Sequence, residues 1–143
     1  MSDKYESIRL KNQLCFPLYA VSNKIIRNYK PLLDDLNLTY TQYLVMMVLW
    51  EEENINEKSL GDKLFLKSNT LTPLLKKLCE KGYIIINKSD KDERNIIISL
   101  SEEGKKLKDR AICVPESLGK SLKLDKDEAL YLYQILYKIL YEA

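Results

Sequence analysis

Two runs rich in isoleucine, "YIIINK" and "NIIISL", break into a chain whose other apolar residues recur at helical spacing. The polar hexapeptide "SDKDER" separates them, so two short strands joined by a charged tip are expected. One hairpin set among helices restricts the architecture more than any overall percentage does. The fold class that follows is mainly α with a small β-hairpin.

The helices have legible ends. In "KSNTLTPLLKKLCEKGY", Leu71, Leu74, Leu75 and Leu78 share one face and Gly82 stands as the terminator. Pro73 fits only in the first turn or so, which puts the start between Lys67 and Thr70. Ahead of it, "QYLVMMVLWEEE" reads as a core helix capped by Thr41, and "NINEKSLGDKLFL" as a short helix centred on Leu60 and Leu64. A helix is expected from about Ile8 to Tyr29, with Leu10, Leu14, Leu18, Val21 and Ile25 on its apolar face, and Pro17 beginning or kinking it. "KPLLDDLNLT" then reads as a short connection with one turn of helix at most. After the hairpin, Ser101 with Glu102 and Glu103 marks another N-terminus, Pro115 a bend or pause, and Asp125 with Glu128 a capping box. The last helix, "ALYLYQILYKILY", is apolar nearly all round, which argues for burial against a second subunit.

Composition excludes several chemistries. The 143 residues suit one domain or one compact subunit of an oligomer. There is no histidine, so Ser-His and Cys-His pairs and His-containing metal sites are out of reach. Cys15, Cys79 and Cys113 are too dispersed for a zinc pattern, and no glycine-rich phosphate loop occurs. Neither a metal nor a cofactor is expected, and no catalytic residue set emerges. Apolar runs fall far short of the ~20 residues that span a bilayer. The N-terminus lacks a secretory apolar region, so a cytoplasmic protein with reduced cysteines and no membrane partner is expected.

Net charge is only +2, but it is unevenly spread. Residues 58–94 hold nine basic and five acidic side chains, while residues 1–57 hold six and eight and residues 95–143 eight of each. The positive excess therefore lies in the middle third, where phosphate contact would need it. Helix, helix, helix, strand, tip, strand over 41–100 is the order of a winged helix-turn-helix. A helix that enters the major groove offers short polar groups early and cations at its flanks. Lys67, Ser68, Asn69, Thr70 and Thr72, followed by Lys76 and Lys77, meet that description. Arg94 in the tip would reach a minor groove, with Asp90 and Asp92 holding the wing in shape.

"SDKDERNIIISLSEEGKKL" resembles the wing and following helix of MarR-family repressors, and "LFLKSNTLTPLLKKLCEKGYI" resembles their recognition helix. The resemblance runs from about Leu10 to Ala143. It implies a single MarR-type subunit over 1–143. This would dimerise through helices in 8–30 and 101–143 and bind double-stranded DNA at an inverted repeat. Within that family, "LKNQLCFPLYAVSNKIIRNYKPLLDDLNLTYTQYLVMMVLW" is similar to the organic-hydroperoxide resistance regulators. The similarity matches Cys15 to a peroxide-sensing cysteine and Tyr19 and Tyr29 to two tyrosines that contact it.

Helical spacing bears on the same residues. Cys15, Tyr19, Ser22, Ile26 and Tyr29 fall within about 40° of one line along a helix, bordering the Leu14, Leu18, Val21, Ile25 face. That would put the thiol at the edge of the core. Tyrosine hydroxyls donate to a thiolate and favour it over the thiol, as does a helix N-terminus near Pro17. Tyr19 is one turn away, whereas Tyr29 lies about 20 Å along the axis at ~1.5 Å per residue and would meet Cys15 only from another subunit. The plainer reading makes Cys15 a small buried hydrophobe. The resemblance implies a repressor that an organic hydroperoxide releases from its operator, with Cys113 or a low-molecular-weight thiol as resolving partner. A regulator answering to an aromatic ligand or another thiol-reactive stress, and a one-cysteine thiol peroxidase, stand as alternatives. Cys79 is assigned to packing.

Overall fold

A computed structural model describes residues 3–88 and 95–142. Two single 3-10 turns, Glu6–Ile8 and Leu10–Asn12, precede α1 (Cys15–Asp34), α2 (Tyr40–Glu51), β1 (Asn54–Asn56), α3 (Glu57–Leu64) and α4 (Ser68–Glu80). Then come β2 (Ile84–Lys88), β3 (Ile96–Leu100), α5 (Glu102–Ala111), α6 (Val114–Leu122) and α7 (Lys126–Tyr141). The hairpin is part of a larger sheet. β1 joins it as a third strand, in the order β1-β3-β2, all antiparallel, with Ile55 opposite Ile98 and Ile86 on the other side of the same residue.

α4 ends as its sequence indicates. Gly82 takes φ +83, its N–H donates to Cys79 O at 3.0 Å, and the Tyr83 N–H donates to Leu78 O at 3.2 Å. That paired closure satisfies carbonyls the last turn would otherwise leave open, and glycine adopts the left-handed geometry without a Cβ penalty. Leu71, Leu74, Leu75 and Leu78 are all buried, each contributing about 1.5–3 kcal/mol of apolar transfer. Ser68 begins the helix, within the expected range, and Pro73 follows early in its second turn.

α1 departs from expectation at both ends. It starts at Cys15, which leaves Pro17 in the first turn, where its missing N–H costs no helical bond. The residues before it turn on their own side chains: Asn12 Nδ2 donates to Glu6 O at 2.7 Å and Gln13 Nε2 to Ser7 O at 2.9 Å. At the other end the helix runs through Pro31 to Asp34, carrying Leu33 into the core at 1% exposure. α2 is capped by Thr39 rather than Thr41. Its hydroxyl accepts from the Gln42 N–H while Gln42 Oε1 accepts from the Thr39 N–H, a reciprocal capping box. Ser101 and Asp125 cap α5 and α7 as expected.

The core gathers the end of α1, α2, α3, α4 and the inner faces of β2, β3 and α5, with Val45, Met46, Leu49, Leu60, Leu78 and Ile98 fully enclosed. The front of α1 and all of α7 stay outside it. Leu14 is 85% exposed, Leu18 and Val21 are about half exposed, and α7 buries no residue. The apolar stripe of α1 therefore borders no core of its own subunit, which corrects the placement of the thiol at a core edge. Tyr133, Tyr137 and Tyr141 stack along α7, and the Tyr141 ring reaches Phe65, in left-handed geometry at the α3–α4 turn, at 6.0 Å.

Candidate nucleic-acid interface and redox site

α4 exposes Ser68, Asn69, Thr70, Thr72, Lys76 and Lys77 on the side away from its leucine face, with exposed Lys67 at its N-cap. Lys76 and Lys77 form no ion pair among the described residues, so both charges stay available. Thr72 stands at the edge facing α3, where its Oγ1 donates to Glu57 Oε1 at 2.9 Å. Glu57 was not singled out from sequence, and nothing local would have linked two residues fifteen apart. Thr70 and Lys77 line the opposite edge, in a cleft shared with Thr39 and Thr41 of the α2 start. Asp90, Asp92 and Arg94 lie outside the described residues, so the tip of the wing is not placed.

Cys15 occupies the first position of α1 and is exposed, which sets aside its reading as a buried hydrophobe within the subunit. Tyr19 follows one turn later at 66% exposure. On the neighbouring face of the helix, Leu14, Leu18, Val21 and Ile25 share an apolar cleft of about 530 Å³ with Leu132 and Leu136 of α7. The structure does not bring Tyr29 to this end. Tyr29 packs near the other end of the same continuous helix, its ring centroid 4.7 Å from Tyr40 and 5.8 Å from Tyr43. Burial first, and then the two neighbouring phenols, push its pKa up to about 12. Its hydroxyl thus stays protonated, and able to donate, throughout the range in which a thiolate forms.

Cys113, exposed between α5 and α6, lies close enough to Tyr43 for its charge to add to the burial and Tyr40 that raise the Tyr43 pKa. Tyr43 thus neighbours Tyr29 and feels Cys113, far along α1 from Cys15. Cys79 is exposed on α4, not packed as expected, because it falls at the edge of the leucine face. No group of three potential metal ligands stands together among the described residues, and no described helix is long and apolar enough to cross a membrane.

Known proteins share this architecture. Residues 27–111 match the family described as transcriptional regulator SarA/Rot. The organic hydroperoxide resistance transcriptional regulator of Bacillus subtilis is 43% identical over 140 residues, 98% of this chain and 95% of that one. Reduced AbfR bound to DNA superposes with a TM-score of 0.76 at 39% identity, covering 96% of this chain and 95% of that one. A disulfide form of AbfR superposes at 0.65 with 38% identity, covering 96% and 93%. A MarR variant from Escherichia coli complexed with operator DNA superposes at 0.82 with 25% identity, covering 97% and 99%. Full-length identity and a shared winged helix leave one assignment: the chain belongs to the SarA/Rot-type regulators of the MarR family.

Proposed function

We propose that the chain is a cytoplasmic, homodimeric DNA-binding repressor that senses organic hydroperoxides at Cys15 and then leaves an inverted-repeat operator. The observation that carries this is the position of Cys15: exposed, in the first turn of α1, beside Tyr19, on an apolar stripe that its own subunit leaves uncovered. A thiol so placed is open to an apolar oxidant and lies where a second copy would seat. α4 presents Lys67, Ser68, Asn69, Thr70, Thr72, Lys76 and Lys77 to the major groove, and the wing brings Arg94, steadied by Asp90 and Asp92, to the minor groove.

The chemistry balances with one oxidant. The Cys15 thiolate attacks the outer oxygen of the hydroperoxide, and the O–O bond breaks. Cys15 becomes the sulfenic acid, and the alkoxide leaves with a proton from water as the alcohol. A thiol then condenses with the sulfenic acid, forming a disulfide and releasing water. Tyr29 is about 20 Å from its own Cys15 along a single helix, so it serves the partner's Cys15. Because Tyr43 neighbours Tyr29 and feels Cys113, a dimer that delivers Tyr29 brings Cys113 with it, and Cys113 is the protein's own resolving thiol. AbfR, a structural relative, has a disulfide form, which supports a disulfide step in such a regulator. A low-molecular-weight thiol is the competing resolver, and non-reducing electrophoresis after peroxide treatment separates the two.

Cys15→Ser is expected to keep operator affinity and to abolish release by cumene hydroperoxide, followed by fluorescence anisotropy. Release that persists in this variant defeats the proposal. The apolar cleft between α1 and α7 favours one second reading, an aromatic small molecule as effector. Under that reading Cys15→Ser responds to the effector as the parent does.

A further inference from the structure

The exit of α1, far from the thiol, is held by hydrogen bonds that neither DNA contact nor the chemistry of Cys15 explains. Three successive carbonyls there, of Asp35, Leu36 and Asn37, each accept from a different downstream side chain. Arg110 of α5 donates to Asp35 O. The Tyr83 hydroxyl, just past α4, donates to Leu36 O at 3.0 Å. Lys81 Nζ, at the C-cap of α4, donates to Asn37 O at 2.8 Å and to Gln42 Oε1 at 2.7 Å.

Gln42 is only 3% exposed and belongs to the capping box of α2. One ammonium therefore ties together the end of α1, the start of α2 and the end of α4. Two cations also stand at the negative end of the α1 dipole, where each is favoured. Burial and the nearby Lys77 charge hold Lys81 below the usual lysine range, as its seat between elements requires. Otherwise α1 packs chiefly on α2 and α6, whereas α4 packs on α2, α3 and β2. Lys81 and Tyr83 are thus direct hydrogen bonds from the reading-helix end to the exit of the sensor helix.

α1 is a lever about 30 Å long, and a tilt of about 5° about one end moves the other by ~2.5 Å. A displacement of that size breaks a 2.8 Å hydrogen bond or drags its donor along. We propose that Lys81, backed by Tyr83, is the positioning residue that transmits displacement of α1 to α4, so that oxidation at Cys15 disturbs the reading helix through this clamp. The inference rests on the redox repressor reading above.

The test uses full-length protein and a duplex enriched from random-sequence DNA on the reduced form. Lys81→Met, Lys81→Arg and Tyr83→Phe are compared with the parent for affinity before and after cumene hydroperoxide, for Cys15 sulfenate formation by dimedone labelling, and for Tm. Lys81→Met should oxidise at the parental rate and bind reduced DNA within about threefold of the parent, while its oxidation-dependent loss of affinity shrinks by about tenfold. Lys81→Arg should restore that loss. An unchanged ratio of reduced to oxidised affinity overturns the proposal, as does weakening of both states by one factor, the mark of a purely structural role. Should Lys81→Met not hold its fold, Tyr83→Phe, which lacks only a hydroxyl, is judged by the same ratio. If the parent itself keeps the duplex after Cys15 is oxidised, the redox repressor reading fails instead.

Discussion

Leu14→Ala gives the most direct measure of what the front of α1 is for. Leu14 is 85% exposed in the subunit, so nearly its whole side chain is surface that a second copy can cover. Truncation to alanine removes three carbons' worth of burial, about 2 kcal/mol per subunit at ~0.8 kcal/mol per carbon, once scaled by that exposure. A two-fold contact counts the change twice, so dimerisation weakens by about 4 kcal/mol, roughly a thousandfold in dissociation constant. That is an upper value, reached when the partner encloses the site completely. Dilution series followed by analytical ultracentrifugation or mass photometry read the constant directly, with circular dichroism confirming that the helices persist. A dissociation constant within about threefold of the parent would mean that Leu14 stays wet in the assembly, and the argument for a dimer through the start of α1 would fall.

Gly104→Ala tests the anchor of α5. Its new Cβ would stand 2.1 Å from the backbone oxygen of Tyr83, and Gly104 O is also the acceptor for Trp50 Nε1. A loss of about 3 kcal/mol, or a fall in Tm on the order of 10 °C, is expected by thermal melting, and an unchanged Tm contradicts the packing. Stability should also fall at high pH through Tyr29. The native phenol titrates at about 12 and the unfolded one near 10.0, so both forms keep the proton below pH 10, and above it only the unfolded chain releases it. The Tyr29 contribution is therefore flat below pH 10 and lost between pH 10 and 12. Tyr29→Phe should reduce that slope in chemical denaturation, and an identical slope refutes the assignment.

What the sequence discloses follows the range of the interaction. The ends of α4, α5 and α7 depend on residues within four positions of one another, and Gly82, Ser101 and Asp125 announce them. The second helix was legible by the same rule, since Thr39 and Gln42 have capping-box spacing. Thr41 stands beside the apolar run but already inside the helix, where it caps nothing. β1 could not be read that way, because "NIN" has one apolar residue and becomes a strand only by pairing with Ile97, Ile98 and Ser99. "KPLLDDLNLT" reads as a connection, yet burial of Leu33 carries the helix through Pro31 to Asp34. The apolar stripe of α1 showed where the helix is greasy but not whether its own chain covers it. The Lys81, Tyr83 and Arg110 bonds join residues 39 to 75 positions apart, beyond any periodic signal.

β1 has an effect beyond adding a strand. Without it, the centre of the sheet, five residues that read "IIISL", would offer a bare row of amide and carbonyl groups, the kind of template along which chains polymerise. Three residues, pinned by Ile55 at 5% exposure, are enough to occupy most of that row. The outer rim they create is too short to invite another strand. A modest segment between two helices thus covers one edge along which this isoleucine-rich sheet could otherwise extend.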